Sequence, residues 1–136
     1  MNLEIELPWP PRGLSPNARL QVFAKAKLFK STKLLAGAVT KRALLDAGID
    51  RIILAGAKDA AGHGGVMNLQ LFCTPPINRY RDEDNLIANC KAYFDGVADA
   101  MRINDTVFHF REQVWYDAEK PGKLIVRFDW EEEHER

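Results

Sequence analysis

"VMNLQLFCTPPINRYRDEDNLIANCKAYFDGVADAM", residues 66–101, is the stretch on which the fold turns. Its first part, 66–74, alternates apolar and polar side chains, the period of a half-buried strand. "PPINRYR" (75–81) predicts extended chain, because proline fixes φ and removes a donor. From Asp84 to Met101 the period becomes helical: Leu86, Cys90, Phe94, Val97 and Met101 recur on one face, which is expected to meet the sheet. Asp84, Ala88, Lys91 and Asp95 fall at offsets 0, 4, 7 and 11 and form a second stripe. Asp82 precedes the helix in extended chain, where residues two apart point the same way. Asp82 and Asp84 are therefore expected to converge on one cation, with Glu83 pointing elsewhere. A simpler account also fits: acids at a helix N-terminus complement its dipole, and Lys91 with Asp95 is an i,i+4 surface pair. This stretch alone leaves both open.

Working outward, "LEIEL" (3–7) reads as a strand, and "PWPPRGLSPN" (8–17) cannot lie inside either kind of element. Leu20, Phe23, Lys27, Leu28, Leu34, Leu35, Ala38, Ala43 and Leu45 predict one long helix over 20–47, bent near Gly37 and stopped by Gly48. "RIILA" (51–55) is long enough only for a short strand, and 56–65 is a Gly-rich loop. "TVFHFREQVWY" (106–116) and "LIVRFDW" (124–130) are spaced as a hairpin about a Pro-Gly turn. The order predicts a single α+β domain over 1–130, a mixed β-sheet packed by two main helices. The acidic tail 131–136 is expected to be frayed and disordered.

With 136 residues, 46% hydrophobic and 28% charged, the chain has the composition of one soluble domain rather than a disordered or fibrous one. No apolar run is long enough to span a bilayer and the amino end lacks a signal-peptide pattern, so no membrane partner and a cytoplasmic location are expected. Cys73 and Cys90 sit in apolar contexts and predict reduced core thiols. Residues 1–58 carry ten basic against four acidic side chains, and the remainder nine against fifteen. That asymmetry suits a protein that attracts a polyanion and holds cations nearby. The histidines show no metal-ligand spacing. No Gly-rich phosphate cradle occurs, so no nucleotide cofactor is expected.

"ELPWPP…LSPN", then "RDEDN", then "K…DG" on the helix and "IND" after it, occur together in that order. This combination resembles the RusA family of Holliday junction resolvases, common in phage and prophage genomes, from about Leu3 to Asp105 together with the closing hairpin. The resemblance implies a RusA-like α+β fold, a homodimer, Mg²⁺ as cofactor with Mn²⁺ as a substitute, and cleavage of four-way DNA junctions by paired nicks in recombination and repair. It places the family's metal-binding acids at Asp82, Asp84 and Asp105, its asparagine at Asn85 and its catalytic lysine at Lys91. Asp95 and Asn85 would support these from behind. Two departures stand out. Asn104 replaces the first of two adjacent aspartates, and Asp84 to Lys91 is about one helical turn longer than in the best-known members.

The chemistry suits these residue types. Phosphodiester hydrolysis needs a metal that polarises the phosphoryl oxygen and generates hydroxide, and Mg²⁺ takes hard carboxylate oxygens. Lys91 would stabilise charge on the scissile phosphate or position the attacking water. Asn17, Arg19, Lys25 and Lys27, with Arg79 and Arg81 beside the acids, are the candidate DNA contacts. Two other functions share some of these features: a junction-binding protein that has lost catalysis, and a Mg²⁺-dependent hydrolase of small phosphate esters. A straight helix from Asp84 to Met101 would be about 25 Å long and would leave Asp105 far from Asp82 and Asp84. Either a bend near Gly96 or a site shared across an antiparallel dimer would bring them together, and sharing is the arrangement expected.

Overall fold

Strand β5 (Lys123–Trp130) lies between β1 (Asn2–Pro8) and β2 (Met67–Thr74), antiparallel to both. The computed structural model describes residues 1–16, 18–56, 64–78 and 83–132, with Glu83 and Asp84 described through their backbone alone. On the far side of β2 run two short parallel strands, β3 (Phe108–Phe110) and β4 (Val114–Trp115), completing a mixed five-stranded sheet. Helix α1 (Val22–Asp46) and the pair α2 (Glu83–Asn89) and α3 (Lys91–Met101) complete the described elements, with short 3₁₀ turns at Arg12–Leu14 and Asp105–Val107. The molecule is α+β, as its periodicities predict.

The period-two pattern sets the register. Leu7, Leu124 and Cys73 align across the three central strands, followed by Ile5, Val126 and Leu71, then Leu3, Phe128 and Leu69. All nine are buried in one core cluster with Tyr93, Phe94, Val97 and Met101 of α3. The opposite face of the sheet is polar: Arg127 bridges to Glu4 at 3.2 Å and stacks over Phe72. A sheet covered on one side by helices and wet on the other accounts for the alternation.

The expected hairpin of 106–116 with 124–130 does not form. After β4 the chain crosses the end of β2, with Tyr116 N–H donating to the Cys73 carbonyl and Glu119 N–H to that of Pro75. It turns at Gly122 (φ 83°), where any side chain would strike Pro76, and returns between β1 and β2. Leu124, Val126, Phe128 and Trp130 are all buried. A central position pairs the β5 backbone on both edges, whereas a terminal hairpin would leave one edge unpaired. Residues 51–55 supply only an isolated bridge, Leu54 to Glu132, in place of a strand. Glu131 accepts from Ala55 N–H, so the first two residues of the expected tail are tied down. Residues 133–136 lie outside the described residues.

Helix α1 is a single helix with no break at Gly37, and its most buried side chains are small ones. Phe23, Leu34 and Leu45 are exposed, while Thr32, Ala36 and Thr40 are buried against α3. The Thr32 and Thr40 hydroxyls donate to the carbonyls of Leu28 and Ala36, both at 2.7 Å, so their burial leaves no unsatisfied donor. Small side chains win this face because α3 approaches too closely for leucine. Ion pairing of Lys33 with Asp99 at 3.1 Å, and the contact of Gly37 with Gly96, show that α1 and α3 run antiparallel. Among the described residues no helix is long and apolar enough to cross a membrane.

Candidate functional site

The predicted helix over 84–101 is interrupted at Cys90, and this interruption shapes the site. Cys90 N–H is shared between the carbonyls of Leu86 (3.0 Å) and Ile87 (3.1 Å), and Cys90 adopts φ −91°, ψ 5° between α2 and α3. Its side chain is fully buried, where burial and then the nearby Cys73 thiol push the Cys90 thiol far above its ordinary range. Both cysteines are free thiols, as their contexts predict. At the other end of α3, Arg102 adopts the left-handed conformation (φ 57°, ψ 42°) and Ile103 N–H caps back onto Ala98. The chain then reverses, so that residues 105–110 run back beside the first half of α3. Phe110 packs on Phe94 with ring centroids 4.9 Å apart.

A pocket of about 210 Å³ lies between these segments. Ala88, Lys91 and Asp95 line one wall, which is the stripe predicted from helical spacing. Asp105, Phe108 and Phe110 line the other, with Ile87 and Phe94 between. Asp105 is thus brought to Lys91 and Asp95 within one chain. Asp82 and the Asp84 side chain lie outside the described residues, and with them the separation from Asp105 on which the expected sharing across a dimer rests. Lys91 reaches Asp95 at 3.5 Å with two-thirds of its side chain exposed, so the lysine keeps most of its freedom to meet a ligand.

Asp84 occupies α2 one turn before Ala88, and its side chain lies outside the described residues, as do Asp82, Arg79, Arg81 and Asn17 entirely. Asn85 is half-buried on α2. Asp95 and Asp105 are carboxylates whose hard oxygens suit Mg²⁺. Among the described residues no three acids, histidines or cysteines gather into a metal-binding group, so a full set would need Asp82 and Asp84.

No protein-family model matches the chain. It is similar to an uncharacterized protein of Xylella fastidiosa (strain Temecula1), 30% identical over 122 residues that cover 90% of this chain and 72% of that protein. The chain belongs to that protein's family.

Asn104 has a local role that spacing did not reveal. Its side chain accepts from Thr106 N–H at 3.0 Å and caps the 3₁₀ turn that carries Asp105. An amide oxygen caps as well as a carboxylate does. The basic residues of the front half are more dispersed than their sequence clustering suggests. Lys25 donates to the Ser15 carbonyl at 3.2 Å, while Arg19 and Lys27 are exposed. Because α1 and α3 are antiparallel, Lys25 and Lys27 lie toward the C-terminal end of α3, away from Lys91. A larger cavity of about 990 Å³ opens between Ala55, Gly56, Gly65 and Val66 and the end of β5, lined by Arg111 and Asp129 among others. It brings together neither the acids nor the lysine singled out by sequence. The aromatic wall of the smaller pocket escaped sequence reading, since Phe108 and Phe110 looked like ordinary strand residues.

Proposed function

We propose that this protein is a Mg²⁺-dependent endonuclease of the RusA type, cutting four-way DNA junctions in the cytoplasm as a homodimer. The observation that carries the reading is the meeting of Lys91, Asp95 and Asp105 in one pocket, with α2 bringing the Asp84 position one turn from its wall. Asp105, with Asp82 and Asp84, would hold the metal, which when bound polarises the phosphoryl oxygen and lowers the pKa of its water. The Lys91 ammonium stabilises the charge that builds on the scissile phosphate, and Asp95 holds that ammonium over the pocket. Arg79 and Arg81, three and one residues before Asp82 in the chain, supply phosphate contacts beside the acids.

Two nicks need two sites, which a two-fold dimer supplies, one per subunit. Loss of catalysis is not favoured by Asn104, because that side chain serves as a cap. The deciding experiment incubates the purified protein with a labelled four-way junction, a linear duplex and a generic phosphate ester, with and without Mg²⁺. Paired nicks confined to the junction and dependent on metal support the reading. Binding without cleavage in Mg²⁺ or Mn²⁺, or hydrolysis of the ester alone, would replace it.

A further inference from the structure

We infer that the aromatic wall of this pocket takes one unstacked nucleobase at the branch point, with Phe110 as its stacking platform. The inference rests on the endonuclease reading. A phosphodiester is hydrated and charged and gains nothing from an apolar wall, yet Ile87, Phe94, Phe108 and Phe110 all face the space beside Lys91 and Asp105. Phe94 and Phe108 are buried, at 6% and 8% exposure, whereas Phe110 is 39% exposed. Its ring is backed by Phe94 at 4.9 Å with the planes tilted by 54°. A ring supported from behind and open in front is a surface on which a second flat ring can lie.

Position and size agree. Phe110 sits on β3, paired to Leu69 of the central strand β2, and the next residue continues the ladder through Arg111 N–H to the Leu69 carbonyl at 2.8 Å. The platform is therefore held by the sheet. Cavities of about 150 Å³ accept a benzene ring, so a pocket of about 210 Å³ has room for one base. Charge also agrees: the Lys91 ammonium stands on the rim, where the phosphate attached to such a base would lie. A base inside a continuous duplex cannot reach the ring without unstacking, which costs a few kcal/mol and least where stacking is already interrupted. The pocket would thereby prefer the branch of a junction over a linear duplex.

The test uses the full-length protein in Mg²⁺ with a set of junctions, each carrying an abasic site at one nucleotide beside the branch. Phe110→Ala is expected to raise KM for the intact junction by about 5- to 150-fold, the range of base–aromatic stacking, and to narrow the junction-to-duplex ratio. Phe110→Trp is expected to restore both. At one abasic position the losses should not multiply: Phe110→Ala should add nothing to the defect of the damaged junction. Multiplying losses at every position, or a Phe110→Ala enzyme with unchanged KM and selectivity, would overturn the inference while leaving a Lys91- and Asp105-dependent nuclease standing. An absence of junction cleavage by the wild-type protein would overturn both. Circular dichroism melts of each variant establish that the folded protein is being compared.

Discussion

Gly96 of α3 lies so close to Lys33 of α1 that a Cβ at position 96 would overlap the Lys33 carbonyl oxygen. The obstacle is backbone, which cannot rotate away. Gly96→Ala is therefore expected to force the helices apart and cost about 2 kcal/mol or more. Gly37, across the same crossing, has room: its Cβ would meet the Gly96 carbonyl oxygen at an ordinary 3.4 Å. Gly37→Ala should raise stability by about 0.5–1 kcal/mol through helix propensity. Chemical denaturation of the two variants checks the opposite signs.

The small buried face of α1 sets a second expectation. Phe23, 88% exposed, and Leu45, 74% exposed, contribute little to the fold despite their size. Phe23→Ser and Leu45→Ser should each change stability by less than about 0.5 kcal/mol, whereas Phe128→Ala in the central strand should cost about 3–5 kcal/mol. Equal losses in urea melts would contradict this placement of α1.

Lys91→Ala should lower the junction cleavage rate by orders of magnitude with an unchanged melting temperature, since its side chain is mostly solvent-exposed. Asp105→Asn should abolish cleavage and preserve, or tighten, junction binding by removing a charge that repels phosphate. Single-turnover rates and band-shift assays read the two effects separately. Near-wild-type cutting by Asp105→Asn would remove it from the metal set.

Because Lys91 and Asp105 line one pocket in one chain, a mixed dimer of a Lys91→Ala subunit with an Asp105→Asn subunit carries a defect in each site and should be inactive. Pairing a wild-type subunit with one carrying both changes leaves a whole site and should nick one strand. Nicking by the first mixed dimer would instead show a site shared between the subunits.

Alkali should destabilise the fold through Cys90. Burial raises its folded pKa above the ordinary thiol value of 9.0, so the unfolded chain gives up this proton first. The stabilising contribution is complete below that value and is lost as pH rises toward the folded pKa, at up to about 1.4 kcal/mol per pH unit. Unfolding free energy measured across this range should fall less steeply for Cys90→Ala, whatever its absolute stability. An unchanged slope would assign the alkaline loss to another group, of which Tyr93, also raised by burial and hydrogen-bonded to the Pro8 carbonyl, is the next candidate.

The sequence by itself determined the α+β class, the strands at 3–7, 66–74 and 124–130, and the Ala88, Lys91 and Asp95 stripe. These depend on periods of two and 3.6 residues, which local covalent geometry imposes wherever one face is buried. Tertiary structure decided what those periods leave open. β5 lies between β1 and β2 because its backbone needs partners on both edges, and no local pattern names those partners. The buried face of α1 is the small one because Gly96 sets how closely α3 approaches, a fact recorded in another segment of the chain. Asp105 meets Lys91 because Arg102 turns the chain back at the end of α3, a left-handed conformation that residue type alone does not announce. Spacing along the chain fixed which side chains share an element, and contacts between elements fixed which of them share a site.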